Sequence, residues 1–128
     1  MPTMKTEVRM PTTMTRVLSA STISGDDVTN PRGEKLGHIK DLMIDTASGR
    51  IAYAVLSFGG LFGMGEKLFA IPFKALRIRP DDKAFELDVD EEQLERSHGF
   101  DKDDWPNMAD QRWQTEVHTV YGVDPYWI

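Results

Sequence analysis

From residue 17 to residue 89 the sequence is a succession of short apolar runs, each closed by a turn, and this spacing constrains the fold more than any other feature. Asn30-Pro31-Arg32-Gly33 is a four-residue turn signature in which proline presets φ at the second position. After it, Leu36, Ile39, Leu42 and Ile44 recur at a period near two without sharing one parity, so a bulge near Lys40 and Asp41 is needed to hold them on one side. A turn at 46–50 feeds the β-rich run 51–58, and a second run follows at 67–72. Leu76 and Ile78 then alternate with Arg77 and Arg79. Pro80-Asp81-Asp82-Lys83 turns the chain into a last run with Phe85, Leu87 and Val89 on one face. Five or six such strands with no helix between them predict a mainly β fold: a small antiparallel β-barrel or half-barrel of about six strands.

The stretch 57–72, SFGGLFGMGEKLFAIP, crowds glycines against a glutamate and a lysine and invites comparison with a phosphate-binding loop. Such a loop needs G-x-x-x-x-G-K-[ST] between a strand and a helix whose N-terminus holds the phosphates. Gly60 and Gly65 have the right separation, but Glu66 stands where lysine is required and Leu68 replaces the hydroxyl. A strand follows instead of a helix. The stretch therefore reads as a long hairpin whose glycines permit positive φ. Leu61, Phe62 and Met64 sit at its tip, where large apolar groups are expected to be covered by another part of the chain or another molecule.

After Asp90 the pattern changes. Asp90 caps a short helix with acids in its first turn, residues 100–106 form a loop, and a second helix runs from Asp110 to Gly122. Trp113, Val117, Val120 and Tyr121 form one apolar stripe, and Gly122 with Pro125 supplies the stop. Three segments result: a flexible 1–16, a barrel at 17–89, and a short helical, aromatic-rich extension at 90–128.

The chain has 128 residues, no cysteine and a net charge of −6. Thiol chemistry, Cys-ligated zinc and iron–sulfur clusters are excluded. His38, His98 and His118 have no metal-ligand spacing, and Asp101, Asp103 and Asp104 lack the glycine and twelfth-position glutamate of a calcium loop. No serine has a His/Asp signature beside it. The sequence thus presents no catalytic, cofactor-binding or metal-ligating set. Residues 89–128 carry three basic against ten acidic side chains, which disfavours direct contact with nucleic acid. No apolar run approaches the ~20 residues of a membrane span, and no secretory signal precedes the barrel, so a cytoplasmic protein is expected. Two features point to interaction surfaces. Arg77 and Arg79 share a strand face suited to an acidic partner. Trp105, Trp113, Tyr121, Tyr126 and Trp127 are of the kind that dominates interface energetics, even where most of them pack as core.

The residues from Gly25 through Asn30, Gly33-Glu34, Leu36-Gly37 and Ile39 to Asp45, then Gly49 to Leu56, then Phe69-Ala70-Ile71-Pro72, together resemble the PRC-barrel family. That β-barrel domain is shared by the photosynthetic reaction centre H subunit and a bacterial ribosome-maturation factor. The tail, with Gly99-Phe100, Trp105-Pro106 and Tyr126-Trp127, looks like that of free-standing bacterial members. The resemblance implies a non-enzymatic protein-interaction or adaptor module that self-associates, as a homodimer, and binds a further protein partner. An accessory role in RNA or ribosome maturation, through a basic ribosomal protein, is the alternative it implies. A small-molecule or metal-binding module is a third reading.

Overall fold

The computed structural model describes residues 17–59, 66–79, 84–97 and 99–127. A one-turn helix, α1 (Ala20–Ile23), is capped by Ser19, whose hydroxyl accepts from the Thr22 N–H at 3.3 Å. It leads into β1 (Asp27–Thr29), β2 (Lys35–Asp45), β3 (Arg50–Phe58) and β4 (Lys67–Pro72). A single 3-10 turn (Phe73–Ala75) joins β4 to β5 (Leu76–Arg79), and β6 (Ala84–Leu87) follows. Two helices close the chain, α2 (Glu91–Arg96) and α3 (Gln111–Val120). None of the described helices is long and apolar enough to cross a membrane.

The strands form one sheet in the order β4-β3-β2-β1-β6-β5. That order forces the sheet to curl. β4 and β5 are its two edges, yet only three residues separate them in sequence. Laid flat, six strands at ~4.8 Å spacing would hold the edges roughly 24 Å apart, whereas a 3-10 turn rises only ~2 Å per residue. The sheet rolls until its edges approach, giving the half-barrel that the strand spacing predicts.

Local chemistry sets the joints. Gly33 donates its N–H to the Asn30 carbonyl at 2.9 Å, closing the expected turn. Asn30 is fully buried, and its side chain accepts from the Arg32 and Glu34 N–H groups, each at 3.0 Å, while donating to the Glu34 carboxylate at 2.7 Å. The Asn30 amide, followed by the Arg32 guanidinium at 3.2 Å, holds the Glu34 carboxyl below its ordinary value. The β2–β3 register shifts between Ile39 and Asp41, so the bulge lies where the apolar spacing demands it; a second shift falls between Met43 and Ile44. Gly37 lies against β3 so closely that a Cβ there would stand 2.0 Å from the Ser57 carbonyl oxygen. No other residue fits.

The rolled interior collects Val28, Leu36, Ile39, Leu56, Phe69 and Phe85, with Ile23 of α1 and Leu94 of α2 plugging it. The outer face of β3 and β4 is buried too, and its cluster joins Tyr53 and Ala70 to Trp113, Val117 and Tyr126 of the C-terminal extension. Burial on both faces explains why Ala52 to Ser57 are all buried and why β3 reads as a continuous apolar run instead of an alternating one.

Three expectations are corrected. The pairing is not antiparallel throughout: β6 runs parallel to β1, Asp27 opposite Ala84 and Thr29 opposite Glu86. This pairing sets Phe85 beside Val28, and both are buried in the core. Ile78 is 43% exposed despite the alternation of its strand, because β5 is an edge whose neighbour covers it on one side only. On α3 the stripe is rotated: Val120 is 62% exposed and His118 is 1% exposed. The chain beyond the helix folds back over His118, which no periodicity within the helix can report.

Candidate functional site

The extension fastens to the sheet through Tyr126. Its hydroxyl donates to Asp45 Oδ2 at 2.5 Å, its carbonyl accepts from Arg50 Nη1 at 2.6 Å, and its N–H donates to His118 Nε2 at 3.2 Å. With Nε2 accepting, the ring proton sits on Nδ1, which donates to the Gln114 carbonyl at 2.6 Å. The Tyr126 hydroxyl, followed by the Ala47 and Ser48 N–H groups, holds the Asp45 carboxyl below its ordinary value, and the same bond raises the Tyr126 phenol. Lys74 Nζ reaches the Pro125 carbonyl at 3.4 Å.

Tyr53 lies at the centre of this fastening. Its ring meets those of Trp113, His118 and Tyr126 at centroid distances of 5.3, 5.5 and 6.1 Å, all edge-on. Such edge-to-face pairs add about 0.5–1.5 kcal/mol each beyond area burial. The Tyr53 hydroxyl is buried with no hydrogen-bond partner among the described residues, and burial pushes its ionisation upward.

A second attachment runs along the free edge of β4. Phe100 and Leu68 exchange backbone hydrogen bonds at 2.8 and 2.9 Å. Gly99 is pressed against the strand: a Cβ there would lie 2.7 Å from Lys67 Cγ and 2.9 Å from the Phe69 ring. Lys67 Nζ pairs with Asp101 at 3.3 Å. Glu66 accepts from the buried Ser57 hydroxyl and pairs with Lys40 at 3.5 Å; the Ser57 bond, first, lowers its carboxyl. The charges of the glycine-rich stretch thus staple a hairpin, since β3 and β4 pair antiparallel from Tyr53–Pro72 to Phe58–Lys67.

Beside this edge, between β4, the 97–106 loop and α3, lies a cavity of about 290 Å³ lined chiefly by Phe69, Phe100, Pro106, Trp113, Val117 and Tyr121. Burial pushes the Tyr121 phenol up to about 12. A further hollow of about 340 Å³ lies across Val120 and Tyr121, against Leu94 and Arg96 of α2.

The residues expected at an interaction surface separate into groups. Trp113, Tyr126 and Trp127 gather around Tyr53 and His118, with Trp127 5.2 Å from Tyr126. Tyr121 lies in the cavity wall, and Trp105 tilts over Phe100 at 5.2 Å. Arg77 is exposed on β5 and shares the wall of a 210 Å³ hollow with Tyr121, while Arg79 pairs with Glu86 at 3.7 Å. Leu61, Phe62 and Met64 lie outside the described residues, as does His98. Among the described residues no group of three or more histidines or acids is placed to hold a metal. Asp45, Arg50, Tyr53 and His118 escape sequence reasoning, because their roles depend on a partner some 60 or more positions along the chain or across a turn.

No curated protein matches the chain. The sequence model of the PRC-barrel domain matches residues 16–94, which takes in all six strands and leaves α3 and the Tyr126 fastening beyond it. The rolled sheet that carries the cavity, and with it more than half of the chain, makes this protein a member of the PRC-barrel domain family.

Proposed function

We propose that the protein is a non-enzymatic interaction module, self-associating as a homodimer and serving as an adaptor for a further protein. One observation carries the reading. The C-terminal extension, which lies past the family match from residue 95 on, covers the outer face of β3 and β4 yet leaves Trp105 36%, Trp127 38% and Val120 62% exposed. Partly exposed aromatic groups on a rigid support are the usual anchors of protein interfaces. Light scattering over a dilution series tests self-association. A mass that falls from dimer to monomer on dilution supports it, and a strict monomer at the highest concentration removes it.

A second reading, an accessory role in ribosome maturation through a basic ribosomal protein, is favoured by the three basic against ten acidic residues at 89–128. Pull-down at mild salt, with and without added salt, tests it. Recovery of basic ribosomal proteins that is lost as salt screens the charges favours this reading; their absence at mild salt removes it.

A further inference from the structure

His118 is buried, and both of its ring nitrogens are engaged. Nδ1 donates to the Gln114 carbonyl one turn back on α3, and Nε2 accepts the Tyr126 N–H. That pair of bonds requires the neutral ring. A second proton would sit on Nε2 and turn it from an acceptor into a donor facing the Tyr126 N–H. Two donors cannot share one bond.

The surroundings offer an imidazolium no counter-charge. From β3, Tyr53 meets the ring edge-on at 5.5 Å, and Arg50, itself a cation, holds the Tyr126 carbonyl. From the tail, the Tyr126 and Trp127 rings stand 6.0 and 5.5 Å away. Lys74, past the end of β4, holds the Pro125 carbonyl, and Asp45 of β2 is engaged by the Tyr126 hydroxyl. Glu116 on α3 and Asp124 beyond it are exposed. Among the described residues no carboxylate pairs with His118. A buried charge without a partner is costly. Just past α3 the chain reverses at Gly122, whose φ of 67° lies in the left-handed region, and the Val123 N–H donates to the His118 carbonyl at 3.1 Å.

We propose that His118 is a proton-operated latch: the neutral ring holds the tail, residues 123–127, against the sheet, and protonation releases it by a swing about Gly122. The closed form takes the neutral ring alone, whereas the open form takes either ring. Closure is therefore complete at neutral pH and weakens as pH falls. A histidine in water titrates at about 6.5, so the open population grows about tenfold from pH 7.5 to pH 5.5. The Asp45 bond persists across that window, because its carboxyl is held below the ordinary 3.8. Opening lifts Tyr126 from Tyr53 and bares part of the outer face of β3.

Amide hydrogen exchange on the full chain, followed by NMR, tests it. The protection factor of the Tyr126 N–H, taken against the free-peptide rate at each pH, is expected to fall about tenfold between pH 7.5 and pH 5.5. His118→Gln offers the Tyr126 N–H an oxygen that does not titrate, and its protection is expected to change by less than about twofold. A change below about twofold in the unaltered protein overturns the proposal, as does a tenfold fall that survives in His118→Gln. Nitrogen shifts that place the ring proton on Nε2 at pH 7.5 overturn it too. Should glutamine fail to seat the tail, the Leu68 N–H, bonded to Phe100 and remote from His118 in the chain, gives the comparison. A fall confined to Tyr126 upholds the latch, and an equal fall at Leu68 overturns it.

Discussion

The two hairpins of the sheet face different fates. β3 and β4 are covered on both faces, inside by the rolled core and outside by Tyr126, Trp113 and Val117. β5 and β6 are covered on one: Phe85 and Leu87 are buried there and Arg77 and Arg79 lie exposed on the other, while Ile78, opposite Phe85 on the inner face, is still 43% exposed at the sheet edge. The lesson is that the C-terminal extension converts an ordinary one-faced hairpin into a two-faced one, and the cost of a substitution should follow that division.

The sharpest break comes from Tyr53→Ala. It empties the centre of the outer cluster and is expected to cost about 3–5 kcal/mol in urea unfolding. Gly37→Ala drives a Cβ into the Ser57 carbonyl and is expected to cost about 3 kcal/mol as β2 is pushed from β3; a loss below about 1 kcal/mol would mean the strands shift freely.

Tyr126→Phe removes the bond to Asp45 and keeps the ring. Because Asp45 lies near solvent, the loss expected is small beside those two, read as modestly faster proteolysis of the extension. Acid acts on the same bond. The folded Asp45 carboxyl lies below the ordinary 3.8, so its contribution is complete above that value and is lost as pH falls through the lower folded one. Asp45→Asn should remove this dependence from tryptophan fluorescence between pH 5 and pH 2. On the one-faced hairpin, Ile78→Ala should change stability by no more than about 0.5 kcal/mol. A larger effect would place a cover over β5 and erase the contrast.

What the sequence discloses is what neighbours decide. The Asn30 turn, the bulge near Lys40, the Asp90 cap with its reciprocal Gln93 bond and the Asp110 cap all depend on residues a few places apart. The candidate site divides on the same line. Trp113 and Tyr121 are visible as members of a helical stripe. Asp45 is invisible as a partner of Tyr126, since nothing local marks a carboxylate at a strand end as the acceptor for a distant phenol. His118 is misplaced for a related reason: the helix alone puts Val120 on the apolar side, and only the returning tail draws His118 under cover. The parallel β1–β6 pairing is equally silent, because strand patterning carries no direction.

That pairing governs the order of events during synthesis. Antiparallel neighbours such as β3 and β4 can zip as soon as both have emerged. β1, made early, finds its second neighbour only when Ala84 to Leu87 appear, so the long closure sets a slow step of high contact order. Until then the apolar inner surface lies open, and the extension, last to arrive, has only a finished barrel to lie upon.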